Sequence, residues 1–295
     1  MTTPAPIPGG TAPIAPRHRP QLPSFVTTRQ GATGLLLFIA VLATAAFGPL
    51  FAPYDIAEPI GVPGNPPVPG APLGLDQLGR DVLSRFLNGG APVILLAAVS
   101  VIVAYAVGVQ LGMIAGLNHG RFVDSMIMRV VDVFIAFPPL LLLLVLISGS
   151  GSSPIVVAGG IALVLFPGVT RIVRSATQEV STSGFIDAAV VRGESPTAIM
   201  YREIFPNIVQ TVLADVGIRF STAIVLAASL NFLGLGSRPP AANWGLMVAE
   251  NRLIMGSNIW ATVAPALMLG VLVISVNLIA DAHVKSLGRS KGGAA

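Results

Sequence analysis

The sequence predicts an all-α integral membrane protein: six transmembrane helices and a two-helix elbow on the cytoplasmic side. Three observations carry this reading. Hydrophobic residues make up 53% of the 295 and charged ones only 10%, where a soluble domain carries about 25%. Six uncharged or nearly uncharged stretches approach or exceed the roughly 20 residues that a helix needs to cross about 30 Å of hydrocarbon. The basic residues then fall unevenly between the segments that join those stretches. With a mean hydropathy of +0.80, a soluble enzyme, a disordered chain and a fibrous protein are excluded.

In chain order, residues 1–32 are rich in Pro, Thr, Ala and Gly, lack apolar periodicity, and read as a disordered cytoplasmic tail. The first span is 33–52, with no cleavage signal, so it is expected to remain in the mature chain. An external loop, 53–90, begins Pro/Gly-rich and is too short for a core of its own; it suits a lid or a docking surface. The core, 91–284, holds spans at 91–117, 126–147, 155–173, 208–235 and 257–280, and 285–295 is a second tail. Six spans put both termini on one side. The segments on that side hold Arg17, Arg19, Arg29, Arg121, Arg129, Arg171, Arg174, Arg192, Arg202, Lys285, Arg289 and Lys291. The opposite side holds Arg80, Arg85, Arg238 and Arg252. Twelve against four predicts cytoplasmic termini by the positive-inside rule. The net charge of +4 and pI of 10.1 then reflect arginines at the inner face rather than nucleic-acid binding.

Several chemistries are missing. The chain has no Cys, and His18, His119 and His283 stand too far apart for metal-ligand spacing. Lys285 and Lys291 are its lysines and neither follows a Gly, so there is no phosphate-cradling Gly-Lys-Ser/Thr. Any ATP-driven step requires another chain. Charges inside spans are costly and tend to be paired or to face a polar path. Asp215 and Arg219 are four apart on one helical face, and are either candidates for a translocation path or a structural clasp. Arg129 and Asp132 are expected to pair across three residues. Gly108, Gly112 and Gly116 repeat every four residues, a stripe that lets two helices approach closely.

The segment SGFIDAAVVRGESPTAIMYREIFPNIVQ, 183–210, is the most informative. Ser183 or Gly184 opens a short helix, and Asp187 in its first turn suits the positive helix end. Ala188 and Ala189 are small enough for close approach, and Gly193 can take the left-handed conformation that ends a helix. Ser195 caps a second helix with Pro196 at its first position, and Pro206 is expected to break the chain before the fifth span. Phe185, Ile186, Ile199, Ile204 and Phe205 offer apolar surface for docking.

This pattern, DAAVVRG followed after ten residues by IFPN, resembles the EAA loop of ABC importer permeases, and more narrowly the dipeptide/oligopeptide/nickel family of the second-subunit type. APLGLDQLGRDVLSR (71–85), GRFVDSMIMRVVDVFIAFPPLLLLL (120–144) and SLNFLGLGSRPPAANWGLMVAENR (229–252) resemble the same family, in order and at its spacing. The chain departs from the pattern at Asp187 (usually Glu), Glu203 (often His), Leu75 (usually Thr) and in lacking a terminal Asp-Pro. The resemblance implies a type I importer permease without catalytic residues. It implies a second permease, two cytoplasmic ABC ATPases that bind ATP and Mg, an extracytoplasmic solute-binding protein, and surrounding lipid. It also implies a coupling role for Phe185, Ile186, Asp187, Ala188, Ala189, Gly193, Ser195, Pro196, Ile204 and Pro206. Di- or oligopeptide is the implied substrate; nickel, glutathione and haem fit the same family. An ion-coupled secondary transporter using Asp132 and Asp215 is the alternative, opposed by six spans and the absence of an inverted repeat. An intramembrane aspartyl protease is opposed by Ser237 following Gly234-Leu235-Gly236, where its Asp would stand.

Overall fold

The computed structural model describes residues 28–292, with side chains to 285. The expected tail therefore lies, for residues 1–27 and 293–295, outside the described residues. Helix α1, Arg29–Phe47, starts four residues earlier than expected because the Thr28 hydroxyl accepts from Gly31 N at 3.0 Å and caps it. A 3-10 turn, Gly48–Phe51, leads into the external segment. Then come α2, Val82–Asn88, capped by Asp81, and α3, Gly90–Leu117. Next are α4, Phe122–Ala136, α5, Pro139–Ser150, and α6, Pro154–Ser181. Helix α7, Gly184–Val191, and α8, Pro196–Ala198, form the elbow. A π-helical turn, Ile199–Ile204, joins α8 to α9, Phe205–Phe232. Last are α10, Trp244–Asn251, and α11, Trp260–Gly292.

Five of these rods are long and apolar enough to cross a membrane, and the bent pair α4–α5 makes six when the two halves are taken as one broken span. The third span is therefore not the straight helix expected over 126–147: α4 and α5 meet at 89°. Pro138 forces the residue before it out of helical conformation, and Phe137 is extended at φ −85°, ψ 135°. A second correction concerns Pro206. The chain does not break there but runs as one helical rod from Pro196 to Phe232, because the π turn ahead of the proline absorbs its missing N–H.

Glycines set the packing. Helices α3 and α6 lie parallel, and a Cβ at Gly108, Gly112 or Gly116 would meet Val169, Val173 or Thr177 at 2.8, 2.6 and 2.5 Å. The stripe is thus a close helix–helix seam, as the four-residue spacing predicts. Gly34 of α1 backs onto Leu278 of α11, and Gly217 of α9 onto Ala280. Ser221 Oγ donates to Asn277 Oδ1 at 2.9 Å, so α9 and α11 run antiparallel. Lys285 Nζ donates to Gln30 Oε1 at 2.8 Å, which sets the start of α1 beside the end of α11. These contacts put the elbow and both described chain ends at one end of the bundle.

At the other end, residues 53–90 fold onto 236–260 around a buried ionic cluster. Arg80 Nε meets Asp76 at 2.7 Å, and its Nη2 meets Glu250 at 3.1 Å. Arg85 Nη2 reaches Glu250 at 2.8 Å and also donates to Ala241 O at 3.3 Å. Its Nη1 donates to Ile56 O at 3.2 Å. Burial pushes the Glu250 carboxyl above the usual carboxylate range, against the pull of Arg85 and Arg80. Trp244, fully buried, donates through Nε1 to Phe86 O at 2.8 Å and fills the space beside Gly89 and Gly90. Asn258 donates to Leu73 O and Leu75 O at 2.9 and 3.1 Å. The loop borrows a core from α10 and the start of α11 because it cannot build its own.

Candidate functional site

The elbow forms as its residues dictate. Ser183 precedes α7, whose first turn carries Asp187. Gly193 sits at φ +77° and its N–H reaches Val190 O at 2.9 Å, while Glu194 N reaches Ala189 O at 3.2 Å. This is a left-handed helix ending, available at low cost to glycine. Ser195 Oγ accepts from Ala198 N at 3.3 Å, with Pro196 at the first position of α8.

The candidate coupling residues separate into two faces. Ile186, Ala189, Ile199 and Ile204 are buried with Val109, Met113, Val169 and Val173 in one apolar cluster, joined by Phe205. These residues fasten the elbow to the bundle, so the expectation that Ile186, Ile199, Ile204 and Phe205 offer docking surface is replaced by an anchoring position. Phe185, Asp187, Ala188, Gly193, Ser195, Pro196 and Pro206 are exposed, together with Val190 and Val191. Val191, 87% exposed, is the barest large apolar side chain on the elbow. The reading from sequence missed Val190 and Val191, although Val191, four residues after Asp187, shares its side of the helix.

Deeper in the bundle, Arg219 Nε donates to Asp215 Oδ2 at 3.1 Å, and Tyr105 Oη donates to the same oxygen at 2.7 Å. The pair faces neighbouring helices: a Cβ on Gly168 of α6 would lie 2.5 Å from Arg219 Nη1. Tyr105 and Gly168 were not legible as partners, because nothing in a linear pattern records which helices meet. A cavity of about 660 Å³ between α9 and α11 is lined by Ile224, Ala228, Phe232, Gly270 and Val273. Another, of about 1120 Å³, lies between α3, α6 and the 236–241 loop. Neither is lined by Asp215 or Arg219.

The expected Arg129–Asp132 pair does not form. Asp132 Oδ1 instead takes Arg171 Nη2 of α6 at 2.5 Å, and Arg129 is exposed. Helix α4 lies against α6, so a cross-helix arginine displaces the neighbour three residues away. One turn on, Arg174 grips Asp124 with Nε at 2.6 Å and Nη2 at 2.8 Å, and the Gln178 amide Nε2 lies 2.8 Å from His119 Nδ1. These ties hold the α3–α4 turn to the end of α6, just ahead of the elbow.

With this geometry in place, comparison with known proteins decides the family. The family model of the binding-protein-dependent transport system inner membrane component matches residues 108–289. The chain belongs to that family. A di/tripeptide transport system permease protein DppC of Pseudomonas aeruginosa is 32% identical, over 88% of this chain and 87% of its own length. A dipeptide transport system permease protein DppC of Haemophilus influenzae is 30% identical over 87% and 89%. A glutathione transport system permease protein GsiD of Pectobacterium atrosepticum is 37% identical over 71% and 69%. A chain of the MetNI methionine ABC transporter, solved in inward facing conformations, superposes with a TM-score of 0.57 at 18% identity, covering 68% of this chain and 95% of that one. This last likeness concerns the fold. The protein is thus a permease subunit of an ABC importer of the dipeptide/oligopeptide group, and a multi-pass protein of the inner membrane.

Proposed function

We propose that this permease imports di- or oligopeptides as one half of a permease pair, driven by two cytoplasmic ATPases and supplied by an external solute-binding protein. The reading rests on one observation above the others: a two-helix elbow, anchored by Ile186, Ala189 and Ile204, that turns Phe185, Asp187, Ala188 and Val191 outward at one end of the bundle. This exposed apolar face with a single carboxylate suits insertion into a groove on an ATPase, and Gly193, Ser195 and Pro196 set the turn between its helices. ATP and Mg would sit on those partners, and this chain's own part is mechanical. Peptide as the substrate is supported by the names of the two DppC relatives. The 37% identity to GsiD favours glutathione as a second reading.

The test is Gly193→Val in the reconstituted transporter, with uptake of a labelled dipeptide followed with and without excess glutathione. A β-branched residue resists φ near +77°. The expected outcome is an inserted, assembled permease whose uptake and ATP hydrolysis are uncoupled. Parent-like coupled uptake in that variant would refute the assignment, and competition by glutathione would move the substrate toward the second reading.

The elbow, both termini and twelve of the basic residues are assigned to the cytoplasmic side, and 53–90 to the outside. Because the chain has no Cys, single replacements report cleanly. Glu58→Cys, at an exposed position, labels with an impermeant thiol reagent in intact cells, and Ser290→Cys does not; the reverse pattern inverts the topology.

Asp215 and Arg219 are assigned to the wall of the translocation path. Replacing both by Ala leaves a neutral site and avoids the cost of a lone buried charge. The double variant is expected to assemble while losing uptake; parent-like uptake would reduce the pair to a clasp between α3, α6 and α9.

A further inference from the structure

We propose that the π turn Ile199–Ile204 is a register joint between the elbow and α9, and that Tyr201 and Gln110 are positioning residues that latch it. The inference builds on the reading of the elbow as the ATPase-facing element. A π turn carries one residue more than the α-helix around it, so everything upstream is rotated by roughly 100° relative to an uninterrupted helix of 3.6 residues per turn. The sequence sets this up. Pro206 offers no N–H, so the Arg202 carbonyl lacks its ordinary helical donor. Phe205 N–H reaches back five residues to Met200 O. The Asn207 side-chain amide also donates to Glu203 O at 2.6 Å, next to the Arg202 carbonyl. The Arg202 carbonyl has no i+4 backbone bond to lose, so the turn can change partners there without unwinding the rod.

The turn sits where motion must pass. Helix α7 packs on it. Ile199, Met200 and Ile204 are buried against Val109 and Met113 of α3 and Val169 and Val173 of α6. Beyond it α9 continues without interruption to Phe232, past Asp215 and Arg219. Displacement of α7 therefore enters α9 through these six residues. Two polar ties fix their present register. Tyr201 Oη donates to Gln110 Oε1 of α3, and Arg192, after α7, meets Glu203 at 3.6 Å. Because the glycine seam holds α3 to α6, Gln110 is a fixed point against which the joint is latched. Release of Tyr201 lets the extra residue move along the helix, which turns the elbow relative to α9.

The test uses a Gln110→Cys, Tyr201→Cys double variant in a transporter whose partner subunits carry no Cys. A short bifunctional methanethiosulfonate, cleavable by dithiothreitol, links the two positions. Relative to the same double variant before treatment, linking is expected to arrest dipeptide uptake with ATP binding retained, and dithiothreitol restores the untreated level; the reagent leaves each single variant at its own untreated uptake. If the link does not form, or linked protein transports at the rate of the unlinked double variant, the proposal fails. Tyr201→Phe keeps the ring and removes the hydrogen bond, a net change that corresponds to about fivefold in the latch equilibrium. Expected is a fall of up to about fivefold in peptide moved per ATP; equal proportional changes in uptake and hydrolysis, or none, would overturn it. The elbow assignment fails separately. If linking arrests uptake while Gly193→Val remains coupled, the joint stands and the ATPase-facing role falls. An ATPase contact at the elbow with normal uptake in linked protein sinks the joint alone.

Discussion

Gly112→Ile is expected to prevent stable packing of the bundle. A first carbon at this position already lies 2.6 Å from Val173 Cβ and 2.9 Å from the Thr170 carbonyl. The carbonyl belongs to the α6 backbone and cannot rotate away, so α3 and α6 must separate along their seam. Overpacking a well-filled core costs about 1–3 kcal/mol, and a β-branched side chain against backbone belongs at or above the top of that range. Separation also uncovers Val93, Ala97 and Val101 on α3 and Ile161 and Leu165 on α6, all buried in the parent. The measurement is the folded yield and thermal midpoint of the detergent-purified permease. Gly159→Ala and Gly270→Ala are the controls: an added Cβ there meets nothing within 4 Å, so both should match the parent. A parent-like midpoint for Gly112→Ile would remove the seam from the account.

The second large effect is expected at Arg85→Met. Arg85 is fully buried and compensates Glu250 and Asp76 at 2.8 and 3.4 Å, while binding carbonyls of two separate loops. Removing one partner of a buried ion pair costs about 3–5 kcal/mol, because the other charge stays buried and uncompensated. Adding Glu250→Gln should recover part of this loss, since Asp76 and Arg80 remain a balanced pair at 2.7 Å. The pH dependence follows from Glu250, whose carboxyl burial already raises. Without Arg85 it rises further. A carboxyl that is raised in the folded state binds its proton more tightly there than when unfolded. The Arg85→Met variant is then most stable below the unfolded value of about 4.3, and it loses stability as pH climbs through the raised folded value. Thermal melts from pH 5 to pH 8 should show the deficit widening relative to the parent; a constant deficit would mean that Glu250 is not the group left stranded.

The turn between the two elbow helices was legible residue by residue, while which apolar side chains anchor and which stay exposed was not. Its signals are local: a cap at Ser195, a proline at 196 and a left-handed glycine at 193 act on their immediate neighbours, so the linear pattern contains what is needed. The bend at Phe137-Pro138 was in principle equally local, but a run of apolar residues on either side of it hid the break. At Pro206 the local rule was outvoted. Anchoring by Ile199, Met200 and Ile204 holds the rod together, and a π turn satisfies the backbone in another way.

Composition and spacing by themselves determined a helical membrane protein, the approximate positions of its spans, the glycine stripe and the shape of the elbow. These follow from the cost of exposing apolar side chains to water and backbone polar groups to lipid, which the chain satisfies within each segment. Only the tertiary structure decided which charges meet. Asp132 takes Arg171 rather than Arg129, Asp215 shares one oxygen between Arg219 and Tyr105, and Arg85 joins Glu250 across more than half the chain. Ion pairing acts over a few ångströms in space and is indifferent to sequence separation, so its partners are chosen when the helices pack.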